Sequence, residues 1–293
     1  EPMTKPAITQ AMIDAYDEYT HLTLDRRGFM EKLSRLAGSG AAAAAIVPLL
    51  AANSAQAAMV AEDDQRVAAE EITYPGSSGE MKGYLTKPAG ATGRLPTVIV
   101  VHENRGLNPH IRDVARRLAL EGFVALAPDF LSPLGGTPSD EDKAREMFGQ
   151  LPAGQAAADG VATVTFLGSH EAGNGKVGAV GFCWGGGTGN DIAVASADLD
   201  AAVAYYGRQP KAEEVANIEA AVMLHYAGLD ERINAGIDAY RSALEAAGKT
   251  FEIHVYDGVN HAFNNDTSAA RYDKTAADLA WGRTVAFLKE KLA

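Results

Sequence analysis

The sequence has little cysteine and fewer positive than negative charges, and each shortage excludes a class of protein. A single cysteine in 293 residues rules out an intramolecular disulfide framework and a cysteine-rich zinc site. The 38 acidic and 26 basic residues give a formal net charge of −12. A protein that follows the phosphate backbone of a nucleic acid needs the opposite charge. We therefore expect a globular protein with no nucleic-acid partner.

The N-terminal region is apolar only over a short stretch. Ala41–Leu50 (AAAAAIVPLL) is too short to span a membrane. Arg26 and Arg27 precede it, and the small-x-small triplet Ala55–Ala57 follows it. A charged region, an apolar region and a small-residue cleavage cue are the three parts of an export signal. The paired arginines are typical of the twin-arginine class, although Met30 stands where leucine is usual.

We therefore expect residues 1–60 to form a twin-arginine-type leader and residues 61–293 to form the functional domain. The leader predicts a periplasmic or otherwise exported protein that engages the twin-arginine export machinery and keeps no stable membrane span after processing. The sequence leaves open whether the leader is cleaved. It also leaves an alternative, in which the same region is an amphipathic helix followed by an alanine-rich linker.

From Ile72 onward, apolar runs of strand length alternate with helical patterns. The runs are Thr97–Val101, Phe123–Pro128, Lys176–Phe182, Ala201–Tyr206, Ala220–Tyr226 and Phe251–Tyr256. Several are nearly continuous, which is typical of strands that are covered on both faces. The alternation predicts an α/β domain with a mostly parallel sheet and helices on both faces, preceded by an antiparallel hairpin over Glu70–Thr86. A loop rich in proline, glycine and charge is expected at Leu131–Pro152.

A glycine-flanked cysteine follows the apolar run that ends at Phe182. Gly181–Gly185 (GFCWG) has the G-x-nucleophile-x-G pattern of a sharp turn between a strand and a helix, with cysteine where serine is usual. Cβ atoms at the flanking positions would collide with the neighbouring chain, which explains the glycines. The turn also places the thiol at a helix N-terminus, where partial positive charge favours the thiolate. Cys183 is therefore the candidate nucleophile, and a cysteine that only packs in the core is the alternative.

An acid and a histidine follow this cysteine in the chain order of an α/β hydrolase. Asp230 and His261 each come after a predicted strand, so both emerge at the carboxyl edge of the sheet. His261 would accept the thiol proton or pair with the thiolate, and Asp230 would fix its tautomer. Asp257 is the rival of Asp230, but Asp257-Gly258 is typical of a turn. His225 and His254 lie inside predicted strands, where a core role is expected. The remaining histidines lie outside strands: His102 next to a strand end, His110 in the following loop or helix start, and His170 in a polar turn. No pair of histidines has metal-binding spacing.

Four segments together resemble the motifs of the dienelactone hydrolase family. They are Val101–Gly106 (VHENRG), Gly181–Gly186 (GFCWGG), Gly228–Asp230 (GLD) and His261–Phe263 (HAF). The resemblance covers residues 70–293. It implies an α/β-hydrolase fold and hydrolysis of a small-molecule lactone or ester, with no metal or organic cofactor.

The resemblance also implies roles for further residues. Glu103 would contact the resting thiol and accept its proton when substrate binds. The backbone N–H groups of Asn104 and Trp184 would form the oxyanion hole. Tyr205 would face the substrate, and Arg145 would bind a substrate carboxylate.

One position departs from the family pattern. Founding members carry an arginine where this sequence has Asn265, so we expect weaker selection for small anionic lactones. The motifs favour a cysteine hydrolase that forms an acyl-enzyme. The alternative is a non-catalytic ligand-binding protein on the same scaffold. A thiol peroxidase or redox sensor is disfavoured because the chain has no resolving cysteine.

Overall fold

A central sheet organises the computed structural model, which describes residues 6–21, 23–51 and 58–293. Its described strands are β1 (Val67–Pro75), β2 (Glu80–Pro88), β3 (Leu95–Val101), β4 (Val124–Asp129), β5 (Gly173–Phe182), β6 (Ala201–Tyr205), β7 (Ala221–Ala227) and β8 (Phe251–Tyr256). Their spatial order is β1-β2-β4-β3-β5-β6-β7-β8. Strands β3 to β8 run parallel, whereas β2 is antiparallel to both β1 and β4. The predicted hairpin and the mostly parallel sheet are confirmed.

Helices cover both faces of this sheet. The described helices are α1 (Gln10–Thr20), α2 (Arg26–Ala37), α3 (Gly40–Leu50), α4 (Pro109–Leu120), α5 (Glu141–Phe148), α6 (Gln155–Gly168), α7 (Trp184–Ala195), α8 (Glu231–Asn234), α9 (Ile237–Ala246) and α10 (Lys274–Lys291). Helices α4 and α10 pack on one face, and α6, α7 and α9 pack on the other. Successive residues of β3 alternate between the two cores, with Val98 and Val100 in one and Ile99 and Val101 in the other. Burial of both faces explains the nearly continuous apolar runs.

The segment between β4 and α6 is more ordered than a loop. Residues 131–152 contain helix α5 and a short 3₁₀ turn at Ser132–Leu134. Asp140 caps α5, since its Oδ1 accepts hydrogen bonds from the N–H groups of Asp142 and Lys143 at 2.9 and 3.0 Å. The expectation of a loop over this whole stretch is therefore wrong.

The described residues ahead of β1 fold into three helices with a small core of their own. Tyr16 and Tyr19 of α1 pack with Phe29 and Leu33 of α2 and with Ile46 of α3. The apolar stretch expected in a leader is helix α3. The division of the chain at residue 60 stays a prediction.

The sequence features that predict an export leader lie in different parts of the N-terminal region. Arg26 and Arg27 begin α2, and their side chains are 81% and 88% exposed. No single described helix is long and apolar enough to cross a membrane, and α2 and α3, which together have the required length and composition, meet at an angle of 109°. The expected cleavage cue at Ala55–Ala57 lies outside the described residues.

Candidate active site

The cysteine turn lies at the carboxyl end of β5. Cys183 follows the last residue of β5 and has φ 55° and ψ −116°, a backbone conformation that costs free energy in a residue with a side chain. A Cβ at Gly181 would lie 1.9 Å from the carbonyl oxygen of Gly185, and a Cβ at Gly185 would lie 2.2 Å from that of Val101. Glycine is therefore required on both sides of the cysteine.

His261 and Asp230 form a buried hydrogen-bonded pair beside this turn. The Nδ1 atom of His261 lies 2.5 Å from Oδ2 of Asp230. The other carboxylate oxygen of Asp230 accepts a hydrogen bond from the N–H of Ile233 at 3.2 Å and so caps α8. The Nε2 atom of His261 is buried, and it has no hydrogen-bond partner among the described residues. The aspartate therefore fixes the ring and leaves Nε2 for proton transfer.

Strained backbone is concentrated at this edge of the sheet. Among the described residues, the non-glycine residues with positive φ are Cys183, Tyr206 at 40° and Ala262 at 66°. Tyr206 follows β6, and Ala262 follows His261 in the chain. Backbone strain of this kind persists where the surrounding structure holds it, and it occurs preferentially at active sites.

A cavity of about 410 Å³ opens over the cysteine, within the size range of small-molecule sites. Cys183 is 9% exposed and forms part of its wall. Other lining side chains are His21, Asn104, Arg145, Phe148, Trp184, Tyr206, Arg208, Arg232 and His261. The sulfur is thus accessible from a mixed polar and aromatic chamber.

The electrostatic setting favours a charged sulfur. Burial alone raises the pKa of Cys183, but the imidazoles of His261 and His21 lower it by more and bring it to about 6. Burial alone lowers the pKa of His261, but Asp17, Cys183 and Asp230 outweigh it and raise this pKa well above its ordinary value. Thiolate and imidazolium therefore stabilise each other near neutral pH.

Glu103 is buried near the sulfur, but its carboxylate is hydrogen-bonded to a different side chain. Its Oε2 accepts a hydrogen bond from Nδ2 of Asn265 at 3.0 Å. Among the described residues, the hydrogen-bond partner of the Cys183 sulfur is His21, with Sγ and Nε2 3.4 Å apart. In the described part of the chain, Glu103 therefore makes no hydrogen bond to the thiol, although both residues line the same small cavity. Asn265, which replaces the arginine of founding members, is engaged by Glu103.

Tyr205, which the resemblance implies as a substrate-facing residue, does not line the cavity. Its hydroxyl is 2.7 Å from Oγ1 of Thr284, and its ring packs on Phe182 in the core. The next residue, Tyr206, lines the cavity, with its ring centroid 4.9 Å from that of His261. The positive φ of Tyr206 ends the regular strand alternation, so the motif places the tyrosine one position too early.

The two tyrosines form a matched pair for mutagenesis. Tyr206→Phe removes a buried hydroxyl that has no hydrogen-bond partner among the described residues, so we expect unchanged stability and several-fold weaker kcat/KM. Tyr205→Phe removes the bond to Thr284, so we expect a loss of about 1 kcal/mol in unfolding free energy and unchanged turnover. Urea unfolding and steady-state kinetics on both variants measure these effects. The opposite pattern would return the substrate-facing role to Tyr205.

Arg145 lies in the cavity wall but already has partners. Its guanidinium donates to Oδ1 of Asp142 at 2.8 Å and lies 4.4 Å from the ring centroid of Tyr19. Its Nε is buried, with no hydrogen-bond partner among the described residues. Asn104 and Trp184, the expected oxyanion-hole residues, also line the cavity. Trp184 is the first residue of α7, where backbone N–H groups have no intrahelical acceptor.

His21 is a site residue that the motifs do not reveal, because it lies in the region predicted to be a leader. Its Nε2 contacts the sulfur, and its ring lies edge-on to that of His261, with centroids 4.7 Å apart. A signal was present in the spacing of Met12, Tyr16 and Tyr19, which is typical of a helix that buries one face. The other histidines take ordinary roles, such as the buried His225, which bonds to Tyr256 and Thr284.

Two groups of described side chains bring metal-ligating atoms close together. Those of His21, Cys183 and His261 lie within 4.8 Å of one another, and so do those of Asp17, Asp230 and His261. A sulfur and two imidazoles suit a soft divalent cation. Both groups share His261, so an ion in either would engage the acid–base pair. The expectation that no metal is needed stays a prediction.

Comparisons with known proteins agree with the motifs. The model of the dienelactone hydrolase family matches residues 81–292. A “Putative carboxymethylenebutenolidase” of Escherichia coli O157:H7 is 33% identical over 255 residues, which are 82% of this chain and 93% of that protein. “Putative hydrolase fragment YghX” of Escherichia coli K12 is 53% identical over 111 residues, which are 37% of this chain and 95% of that fragment.

Solved structures share the fold. A “Putative Dienelactone Hydrolase” from Klebsiella pneumoniae has a TM-score of 0.70 and 33% identity, covering 76% of this chain and 98% of its own. Brefeldin A esterase, described as a bacterial homologue of human hormone sensitive lipase, has a TM-score of 0.68 at 16% identity over 99% of this chain and 96% of its own, which is a likeness of fold alone. The predicted α/β-hydrolase fold is confirmed. With its matched region spanning β2 to α10, the chain belongs to the dienelactone hydrolase family of α/β hydrolases.

Proposed function

We propose that this hydrolase cleaves a lactone or carboxylic ester, with Cys183 as nucleophile and a thioester acyl-enzyme as intermediate. The observation that carries the proposal is the position of Cys183. It lies on a strained turn in the wall of a cavity, beside the His261–Asp230 pair. The relatives are named as carboxymethylenebutenolidase and dienelactone hydrolase, which supports a lactone as the substrate.

In acylation the thiolate of Cys183 attacks the substrate carbonyl carbon. The C–S bond forms, and the π pair of the carbonyl moves onto its oxygen, where the N–H groups of Asn104 and Trp184 stabilise it. The intermediate then collapses, the C–O bond to the leaving group breaks, and the alkoxide takes the proton from Nε2 of His261. In a lactone this alcohol stays attached to the acyl chain.

Deacylation uses the same histidine in the reverse sense. Neutral His261 accepts a proton from water through Nε2, and the resulting hydroxide adds to the thioester carbonyl. Collapse breaks the C–S bond and releases the carboxylic acid product. The electron pair returns to sulfur, so the thiolate and the imidazolium are restored. Asp230 holds Nδ1 throughout and keeps the ring in the required tautomer.

The lining of the cavity supports a broad substrate class. Asn265 is uncharged and hydrogen-bonded to Glu103, so the arginine clamp of founding members is missing at this position. Arg145 and Arg208 line the cavity but pair with Asp142 and Asp191, whereas Arg232 lines it with no ion-pair partner among the described residues. We therefore propose neutral lactones and short-chain esters as substrates, besides anionic dienelactones.

A turnover and trapping experiment tests this proposal. The full chain is incubated with p-nitrophenyl acetate and with a panel of lactones, then quenched in acid and digested for mass spectrometry. We expect turnover and an acyl adduct on the peptide that contains Cys183. A lactone that is retained without turnover, together with an unacylated cysteine, would instead favour the non-catalytic ligand-binding alternative.

The pH dependence of kcat/KM follows from the two shifted groups. The lowered pKa of Cys183, about 6, means that the nucleophile becomes charged as pH rises through about 6. The raised pKa of His261 means that its imidazole stays protonated at pH values well above the ordinary pKa of histidine. At still higher pH the imidazole loses its proton and can no longer act as the general acid. We expect a bell-shaped profile with its rising limb near pH 6, measured on the best substrate. A rising limb near 8.5, as for an ordinary thiol, would contradict the ion pair.

We also propose that the protein is exported to the periplasm through the twin-arginine machinery. The exposed Arg26 and Arg27, followed by the apolar helix α3, support this. In fractionated cells, we expect the chain in the periplasm and its Arg26→Lys, Arg27→Lys double variant in the cytoplasm. Equal distribution of the two proteins would contradict export by this route. A mature chain that begins after Ala57 would lack His21, so N-terminal sequencing of the exported protein is part of the test.

A further inference from the structure

We propose that His21, which directly follows the N-terminal helix α1, is a second catalytic histidine that exchanges a proton with Cys183. The inference rests on the proposed function, in which Cys183 is the nucleophile, and it applies to a chain that retains residues 1–57 after any export. The Nε2 atom of His21 lies 3.4 Å from the sulfur, and its ring packs edge-on against His261 at an interplanar angle of 88°. The residue also lines the cavity above the sulfur. It therefore touches the reacting atom from inside the substrate chamber.

The other ring nitrogen of His21 defines its chemistry. Nδ1 lies 2.7 Å from the backbone carbonyl oxygen of Asp17 and 3.6 Å from its Oδ1. A carbonyl oxygen only accepts, so Nδ1 carries a hydrogen. The remaining atom, Nε2, can then accept the thiol proton or, once charged, donate to the thiolate. His261 has the same relation to Asp230. Cys183 thus lies close to two histidine–aspartate pairs, one from α1 and one from the hydrolase domain.

Helix α1 is fixed to the loops that carry the site. Its last residue, Thr20, accepts a hydrogen bond through its backbone oxygen from Nδ2 of Asn104 at 2.7 Å. Further contacts join α1 to segments around the cavity: Arg105 to Tyr16 at 2.6 Å, Arg271 to Asp17 at 3.4 Å, Tyr19 to Asp142 at 2.9 Å and Gln10 to Asn260 at 2.6 Å. A helix held at this many points gives His21 a defined position relative to the sulfur.

A partly buried carboxylate on α1, that of Asp17, also lies beside the site. Burial alone raises the pKa of Asp17, but His261 and His21 lower it by more, so the carboxylate stays ionised beside both imidazoles. Arg271 pairs with the same carboxylate. The family model begins its match at residue 81, so Asp17 and His21 lie outside the matched part. The second pair therefore comes from residues that precede the part of the chain that the family model matches.

The proposed step conserves protons. The S–H bond of Cys183 breaks, the proton passes to Nε2 of His21, and the electron pair stays on sulfur as the nucleophile. Imidazolium on His21 is then stabilised by Asp17, while protonated His261 remains available to the leaving alkoxide. When the thioester is hydrolysed, the departing thiolate accepts a hydrogen bond from the same N–H, and transfer of this proton from Nε2 of His21 back to sulfur restores the starting state. The charged and titratable groups around the sulfur and its cavity are Asp17, His21, Glu103, Arg105, Arg145, Asp191, Tyr206, Arg208, Asp230, Arg232, His261 and Arg271.

Thiol labelling as a function of pH tests this role on the full chain. The rate of iodoacetamide modification of Cys183 is measured from pH 5 to 9 in wild type, His21→Gln and Asp17→Asn. We expect the midpoint of His21→Gln to move up by about one pH unit, with labelling about fivefold slower at pH 6, where half of the wild-type thiol is ionised. Asp17→Asn should shift the midpoint in the same direction by less. The loss of kcat/KM in His21→Gln should be larger at pH 6 than at pH 8.

Controls separate this role from a structural one. His254→Gln is the matched control, because His254 pairs with Glu252 on β8 and is not in the cavity wall, and it should behave as wild type. Added imidazole should restore part of the activity of His21→Ala at pH 6. A profile of His21→Gln that coincides with that of wild type, or an equal loss at every pH with no rescue by imidazole, would overturn the proposal. If Cys183→Ala itself keeps full turnover, the proposed function fails and not merely the role of His21.

Discussion

Replacement of Cys183 by alanine is expected to reduce kcat/KM for esters and lactones by a factor on the order of 10⁴ or more, because no other described nucleophile lies on the strained turn at this cavity. Binding and the oxyanion-hole donors would remain, so a small residual rate is expected. The measurement is steady-state hydrolysis of the best substrate from the panel. The acyl adduct should disappear with the activity.

Cys183→Ser is the informative companion of the alanine variant. A hydroxyl fits the turn, since the backbone and the flanking glycines are unchanged. The ion pair with His261, however, depends on a group that ionises near neutral pH, which a serine hydroxyl does not do. We expect Cys183→Ser to fold normally and to keep only a small fraction of the activity. Wild-type turnover by the Cys183→Ala variant would contradict the proposal that Cys183 is the nucleophile.

Most of the fold could be predicted from the sequence because both faces of the sheet are buried. Each apolar run from residue 97 to residue 256 forms a strand, with bounds that differ by a few residues. Cys183, Asp230 and His261 each follow a parallel strand, so their proximity at the carboxyl edge of the sheet could be predicted from the sequence alone. Helix α5 was not predicted because its short polar sequence has the composition of a loop. The main sequence feature that indicates a helix there is the N-cap residue Asp140.

The site itself was less predictable where tertiary packing decides the outcome. Tyr205 and Tyr206 are adjacent and chemically identical, and only the positive φ of Tyr206 shows which of them faces the cavity. Glu103 follows a strand as expected, but a motif cannot show that Asn265 binds its carboxylate. His21 comes from 162 residues before the cysteine it contacts. Such a contact has no local pattern, and the residues around His21 match the pattern of an export signal.

Replacement of His261 by glutamine has the second large expected effect, a loss of kcat/KM on the order of 10³-fold. Glutamine can hydrogen-bond, but it can neither protonate the leaving alkoxide nor take a proton from water. The variant also removes the charge that does most to lower the pKa of Cys183, so that pKa should rise toward the ordinary thiol value. Iodoacetamide labelling then reports the lost ion pair independently of turnover.

Asp230→Asn tests the orientation of the same ring while keeping its size. An amide in place of the carboxylate can donate a hydrogen bond to Nδ1 of His261. The hydrogen of the neutral ring would then lie on Nε2, which could not accept a proton from water. We therefore expect a loss of kcat/KM comparable to that of His261→Gln, with the unfolding midpoint changed far less than the rate. The loss in the double variant should be much smaller than the product of the two single losses, because both residues act in one unit. Fully multiplicative losses would mean that Asp230 acts through something other than His261, for instance through its cap on α8.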